Sequence, residues 1–484
     1  MERYLNYIGG NWLEPVDARF HKHVNPANPA ECIGMTVSSS VEEANLAVEE
    51  ANRAFEEWKQ LSAVARGEYL RTAADLLEAA IEDIAVTATK EMGKRLAETR
   101  GEVQRGAMIL RYYAQEGMRK IGEILPSAQS GTTLYTLRVP LGNVSAITPW
   151  NFPIAIPIWK IAPALVYGNT VIWKPAREAG ITAAKIADVF HRAGLPKGVL
   201  NLVMGSGSTI GNVLVTHPKI HAVTFTGSNA VGKEIAMKAT LNNKKFQLEL
   251  GGKNPVIILK DADLDKAAKC TMDGAMKQTG QRCTATSRVY VEESVYELFV
   301  DKLISLAKQI TVGDGLDSTI QMGPLASENQ FDTVCSYIAK GKEEGAQLLF
   351  GGNRLNDASL NNGYFIEPTI FTDANNDMTI TREEIFGPVL TIIKTADYQS
   401  ALAQANDSSY GLSASLFTTD IGKAFHFIQN SEFGMVQING ETGGAEPQVP
   451  FGGMKESSSG TREQGQAAIE FFTAYKTVSI STSL

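Results

Sequence analysis

The sequence predicts an α/β protein with two doubly wound, parallel-sheet domains and a small β arm. Three observations carry this: apolar strand-like runs alternate with amphipathic runs, glycine-bearing turns stand at the strand ends, and two isolated strand-like segments have no neighbour in sequence to pair with. In such sheets, ligands sit outside the carboxyl ends of the strands.

From the start, Ser40-Val41-Glu42-Glu43 fits a capping box, and Ala44, Ala47, Ala51, Ala54, Phe55 and Trp58 follow as a helical stripe. Residues 63–120 read as further long helices, rich in Ala, Glu, Leu and Arg. After Pro140 the pattern changes. "NTVIWKP" reads as a buried strand, "ITAAKIADVFHRAG" as a helix closed by Gly194, "VLNLVMG" as a strand and "STIGNVLVTH" as a helix. "AVTFTG", "NAVGKEIAMKAT" and "KFQLELGG" continue as strand, helix, strand. A second alternation starts at "PVIILKDADLDKAAK" and runs through "SRVYVEESVYELFVDKLISLAKQI" and "GPVLTIIKTADYQSALAQAN". "TLYTLRV" and the tail "EFFTAYKTVSI" are the isolated strands, expected to pair into an arm that docks on another subunit. The predicted division is 1–117 with 141–250, then 251–452, with 118–140 and 453–484 as the arm.

Composition narrows the class. Over 484 residues, hydrophobic content is 44% and charged content 20%, ordinary for a globular chain. A net charge of −8 argues against a nucleic-acid binder. "MERYLNYIGGNW" lacks a basic stretch followed by an apolar core, so no signal peptide is expected. The most apolar stretch, "VSAITPWNFPIAIPIWKIAPALVYGNTVIW", carries Lys160, Asn151 and several prolines and reads as buried, not membrane-spanning. Cys32, Cys270, Cys283 and Cys335 show neither CxxC spacing nor a disulfide framework, which fits a cytoplasmic protein with free thiols.

Among the turns, "GSGSTIG", containing Gly207, is one residue longer than the usual dinucleotide fingerprint and weak alone. "TGSNAVG" follows a strand and opens a helix, where free N–H groups and the helix dipole favour an anion. Cys270 and Cys335 read as helical and structural. Cys283 instead lies among Gly280, Gln281, Arg282 and Thr284, in a loop suited to a reachable thiolate. A nucleophilic cysteine usually partners a histidine, yet none of the six sits in a pairing context, and His21 and His23 read as surface. Glu249 in "LELGGKNP" is a carboxylate among leucines at a strand end: either a satisfied ion pair or a base whose proton affinity burial has raised.

"ITPWNFP", "KPA", "TFTGS", "LELGGKNP", "GQRCTA", "EEIFGPV" and "PFGGMK", in that order from Ile147 to Lys455, resemble the aldehyde dehydrogenase superfamily. "WKIAPALVYGNTV" and "GQRCTATSRVYV" are most similar to its branch of succinate semialdehyde and 2-oxoglutarate semialdehyde dehydrogenases. The resemblance implies Rossmann-like cofactor and catalytic domains, NAD or NADP as cofactor, and no metal. It implies that Cys283 attacks the aldehyde, that Asn151 and the Cys283 backbone N–H hold the oxyanion, and that Glu249 activates the hydrolytic water. Lys174, counted with the catalytic set, would bond the adenosine ribose and Glu384 the nicotinamide ribose, with Phe386 beside the ring. Thr148, Trp150, Gly207, Gly227, Ser228, Gly232 and Gly251 would line the cofactor cleft. Phe152 and Trp159 would line the aldehyde tunnel, core packing being the competing role for Trp159.

One position departs from the family pattern. Many NAD-preferring relatives carry Glu after "KPA"; here Arg177 stands there with Glu178 next, which suits a 2′-phosphate. For a substrate carboxylate, Arg105, Arg111 and Thr284 are the candidates. Three readings compete with oxidation to the acid: a CoA-acylating relative, which usually lacks a Glu at the position of Glu249; a thiol hydrolase; and a non-catalytic binding protein. The expected partners are a small aldehyde and further copies of the chain, as a dimer or tetramer, with no nucleic acid or membrane.

Overall fold

The computed structural model describes residues 2–482 except 16, 356–359 and 361. Two large sheets organise it. The first has eight strands in the order Ser458–Ser459, Lys245–Glu249, Ala222–Thr226, Asn143–Ile147, Thr170–Lys174, Leu200–Leu202, Asn6–Ile8, Asn11–Leu13. The five from Lys245–Glu249 to Leu200–Leu202 are parallel. Asn143–Ile147 and Thr170–Lys174 are buried along their whole length, so they read as continuous apolar runs without alternation. The chain runs outward from Asn143–Ile147 through Thr170–Lys174 to Leu200–Leu202, then crosses to Ala222–Thr226 on the other side. That reversal places a topological switch point between Ile147 and Thr226, where a crevice opens.

The second sheet has seven strands: Gln347–Phe350, Thr369–Thr372, Val389–Thr395, Thr286–Glu292, Asn254–Ile258, Ser413–Phe417, Met435–Ile438, all parallel but the first. Helices cover both sheets. Ser40 caps Val41–Trp58 through a complete capping box with Glu43, and Ala44, Ala47, Val48, Ala51 and Trp58 are buried. Ala155–Val166 is buried on every side. Among the described residues no helix is long and apolar enough to cross a membrane.

Thr132–Pro140 and Thr473–Ser481 pair antiparallel, from Thr473 opposite Pro140 to Ser481 opposite Thr132, and Ile124–Leu125 adds a third strand. The arm is smaller than the sequence predicts. The tail segment divides at Thr473: Ala468–Phe472 is helical, and Phe471 and Phe472 are buried in the first domain's core. Ser458–Ser459 likewise joins the edge of the first sheet beside Lys245–Glu249. Two aromatics in a strand-like run signal burial without saying in which element. His23, expected at the surface, is buried and pairs with Glu91 at 3.0 Å.

Candidate active site

The loops after Ile147, Thr226 and Glu249 leave the first sheet at the switch point, and the loop bearing Cys283 faces them from the second domain. Between them lies a chamber of about 220 Å³ lined by Trp150, Asn151, Cys283, Gln330, Glu384 and Phe386, among others.

Cys283 follows a tight turn, Lys277–Gly280, in which Gln278 (φ 54°) and Thr279 (φ 58°) are left-handed. Such backbone costs about 1–2 kcal/mol per residue in a side-chain-bearing position, so the surroundings must hold it. They do: Thr279 Oγ1 donates to the Gly323 carbonyl at 2.9 Å, and the Ala326 N–H donates to Gln281 Oε1 at 3.0 Å. Asn254 Nδ2 donates to the carbonyls of Cys283 and Ala285, both at 2.8 Å. Arg282 turns away from the chamber and donates to the Asp273 and Gly274 carbonyls. Asn151 Nδ2 donates to the Gln281 carbonyl at 3.2 Å, which puts the amide beside the Cys283 loop. The half-buried Cys283 thiol is pushed up to about 12 by burial and by the charges of Glu384 and Glu249, with Arg282 and the Thr284 N–H opposing. The resting side chain is therefore a protonated thiol.

Glu249 ends its strand almost wholly buried, at 1% exposure. Oε2 accepts from Ser458 Oγ at 2.5 Å, while Oε1 is buried with no hydrogen-bond partner. Burial and then the charge of Glu463 raise its carboxyl well above the usual range; Ser458, Lys160 and Arg462 oppose. Lys160 Nζ bonds Glu463 and also Thr224 Oγ1, at 2.9 Å. Ser458, Glu463 and Lys160 went unassigned from the sequence. Lys160 did leave a signal, as the one charged residue in the otherwise apolar Ala155–Val166.

Glu384 faces the chamber from the other side. Its Oε1 accepts from the Gly252 N–H at 3.0 Å, and burial pushes its carboxyl up to about 7. The backbone approach is close enough that a Cβ on Gly251 would stand 2.2 Å from Glu384 Oε2. Phe386 (φ 57°) meets Trp150 edge to face at 5.4 Å. Gln330, also unassigned from the sequence, lines the chamber and donates to the Ile385 and Phe386 carbonyls.

A cleft of about 660 Å³ continues from the chamber along the switch point, lined by Thr148, Trp150, Lys174, Gly207, Gly227 and Ser228, among others. Asn229–Leu241 starts there with no side-chain cap on its first N–H groups, leaving donors for an anion. The residues fit a dinucleotide: an uncapped helix start for a pyrophosphate, a lysine along the cleft, and Glu384 with an aromatic at its inner end. Lys174 lies in this cleft rather than around Cys283, and burial pushes its amine down to about 8. Gly232 packs against Leu250 behind the helix start. Arg177 is exposed and outside the residues lining the cleft; Glu178 is half-buried, and its charge acts on Lys174.

The proposed substrate residues separate. Phe152 is half-buried with Lys94 Nζ 4.3 Å from its ring. Trp159 is buried, stacks tilted on Phe451 at 5.3 Å, and leaves Nε1 without a hydrogen-bond partner. Arg105 lies 5.8 Å from the Trp159 ring with Nε unpartnered; burial lowers its proton affinity, and Glu102 and then Cys283 oppose that shift. Thr284 is buried beside Gly443. Arg111 does not join them: it pairs with Asp75 at 2.9 Å and with Glu78 on the outer helix faces. The six positions from Arg105 to Arg111 rotate the side chain well over a turn and a half of helix, so the two cannot share a face.

Residues 12–478 match the model of the aldehyde dehydrogenase family. An alpha-ketoglutaric semialdehyde dehydrogenase from Bacillus subtilis is 52% identical over 98% of this chain and 97% of its own length. A 2,5-dioxopentanoate dehydrogenase from Saccharolobus solfataricus is 40% identical over 94% of this chain and 95% of its own. The crystal structure of betaine aldehyde dehydrogenase from Staphylococcus aureus in complex with NAD+ matches with a TM-score of 0.97 at 35% identity, covering 99% of this chain and 95% of that one. With a cysteine, a buried carboxylate and a dinucleotide-shaped cleft meeting at one switch point, this chain belongs to the aldehyde dehydrogenase family, as an NAD(P)-dependent aldehyde dehydrogenase.

Proposed function

We propose that the substrate is a short semialdehyde acid, with 2-oxoglutarate semialdehyde the favoured one, oxidised to the dicarboxylate by covalent catalysis at Cys283. The observation that carries the substrate class is Arg105, a half-buried guanidinium beside Trp159 whose Nε has no partner and whose charge reaches Cys283. A carboxylate at the far end of a short aldehyde would satisfy it. The relatives named for this semialdehyde support the same choice.

In this reading the Cys283 thiol passes its proton to solvent water and the sulfur bonds the aldehyde carbon, whose carbonyl π pair moves onto oxygen. The Asn151 amide and the Cys283 N–H hold the resulting oxyanion. The nicotinamide, when bound, supplies the hydride acceptor. Loss of hydride from the thiohemiacetal carbon leaves a thioester. Glu249 takes a proton from water, the hydroxide adds to the thioester, the C–S bond breaks and the acid leaves. Its unpartnered Oε1 is the oxygen for that proton. The exposed Arg177 is where a 2′-phosphate would be met, so NADP is used as well as NAD. The three-stranded arm, with Ile124, Leu125, Tyr475 and Ile480 exposed, suits a homo-oligomer, dimer or tetramer. Cysteines without CxxC spacing or a disulfide framework in the sequence suit the cytoplasm.

The test is a panel of aldehydes. Succinate and 2-oxoglutarate semialdehydes should exceed acetaldehyde and benzaldehyde in kcat/KM, without need for CoA. Arg105→Met should cost the acids about ten- to a hundredfold and spare the neutral aldehydes. Equal losses for acids and neutral aldehydes would reject the carboxylate contact, and acyl-CoA as product would reject hydrolysis.

A further inference from the structure

The first turns of the helix Leu96–Glu116 bond backbone of both domains close to the chamber: Leu96 and Glu98 that of Gly315 and Gln278, and Glu102 that of Ile154 and Ala155. Glu98 is at the third position of that helix. Its Oε2 accepts from the Arg95 N–H at 3.1 Å, and its Oε1 accepts from the left-handed Gln278 N–H at 3.1 Å and from Arg95 Nη2. Glu102 follows one turn later. Its Oε1 accepts from the N–H groups of Ile154 at 2.8 Å and Ala155 at 3.0 Å, which start the helix just after Asn151. Its Oε2 accepts from Lys94 Nζ at 2.6 Å, and Lys94 Nζ also donates to the Asn151 carbonyl at 2.7 Å. Lys94 and Glu102 side chains are only 3% and 2% exposed, so the pair is dry and its geometry is enforced. The preceding turn is gripped from the catalytic side: a Cβ on Gly323 would stand 2.0 Å from the Gly93 carbonyl oxygen.

None of these three side chains lines the chamber; Lys94 ends on the carbonyl of Asn151, which does, while Glu98 and Glu102 end on backbone a few residues from Cys283 and Asn151. Glu98 holds the turn before Cys283, and Lys94 with Glu102 holds the backbone of Asn151. Two carboxylates one turn apart on one helix, with Lys94 just before its start, thus tie the segments that carry the two oxyanion donors, which come from different domains. We infer that Lys94, Glu98 and Glu102 are positioning residues, a clamp that sets the separation between the Asn151 amide and the Cys283 backbone N–H. The inference rests on the oxyanion role proposed for Asn151. Donor placement matters at this scale because an oxyanion-hole contact is made or lost over a few tenths of an ångström.

The experiment uses the full-length enzyme. Glu102→Gln keeps an acceptor for Ile154 and Ala155 but removes the charge that orders Lys94; Lys94→Met and Glu98→Gln probe the two ends. The pre-steady-state burst rate and kcat should fall about ten- to a hundredfold in Glu102→Gln, with cofactor affinity and aldehyde KM within about twofold. Placed on Asn151→Ala, Glu102→Gln should have almost no further effect, because the group it positions is gone. Glu98→Gln, acting on the Cys283 side, should still slow the Asn151→Ala enzyme. Full additivity of Glu102→Gln with Asn151→Ala would overturn the clamp, as would a lowered Tm with burst rate and kcat unchanged. A normal burst in Asn151→Ala alone would overturn the oxyanion reading, and the clamp with it.

Discussion

The two carboxylates whose charges act on Cys283 differ in burial, Glu249 almost wholly buried and Glu384 half-buried, and are opposite in surroundings. Both are pushed up chiefly by loss of water. Glu384 is braced by a backbone N–H, with the Lys253 amine near enough to lower its proton affinity. Glu249 has a single hydroxyl on one oxygen, nothing on the other, and a second carboxylate, Glu463, raising it further. A braced carboxylate is suited to accept hydrogen bonds from a bound ligand. One with a free oxygen and a like charge behind it is suited to take a proton. The same side-chain chemistry thus serves two purposes, and the partners decide which.

The largest expected effect checks the group both carboxylates face. Cys283→Ser should lower kcat by on the order of 10⁴-fold or more while cofactor affinity stays near wild type, measured by steady-state assay and fluorescence titration. Loss of turnover in Cys270→Ser instead would move the nucleophile elsewhere.

Next comes the proton-taking side. Glu249→Gln should lower steady-state turnover about 10²- to 10³-fold yet leave a burst of reduced cofactor, since hydride loss precedes water attack. A vanished burst in a folded protein would assign Glu249 to activating the thiol.

The ligand-accepting side should show in pH. Glu384 accepts with full carboxylate charge only above about 7, and Lys174 donates as ammonium only below about 8. Cofactor affinity should therefore peak between those values and fall by at most about tenfold per pH unit on each side. Glu384→Gln should flatten the acidic limb; an unchanged limb would remove Glu384 from the contact.

The smallest effect is at Arg177, exposed and outside the cleft lining but near enough for its charge to act on Lys174. Arg177→Glu should shift the NAD to NADP preference in kcat/KM by about ten- to thirtyfold towards NAD, the scale of one partly exposed charged hydrogen bond. A wild-type preference for NAD above about a hundredfold that the substitution leaves unchanged would show Arg177 turned to solvent.

Alternating patterns along the chain determined by themselves that there are two parallel sheets, because strands covered on both faces must be apolar throughout and their crossovers must be helical. Local chemistry also exposed Cys283 in a glycine-flanked loop, Glu249 among leucines, and the free helix start after "TGS". The partners were another matter. Ser458 reaches Glu249 from 209 positions away in sequence, and Glu463 reaches Lys160 from 303. No local pattern encodes such meetings; they arise when the chain's end lays Ser458–Ser459 along the first sheet's edge. The tail shows the same limit, since "EFF" folds as helix into the core where propensity allowed strand. Likewise Arg105 and Arg111 look equivalent on paper, and the helix turns only Arg105 towards Trp159. Sequence determined which groups are costly to bury; tertiary structure decided which of them would be buried together, and a buried charge takes its function from its neighbours.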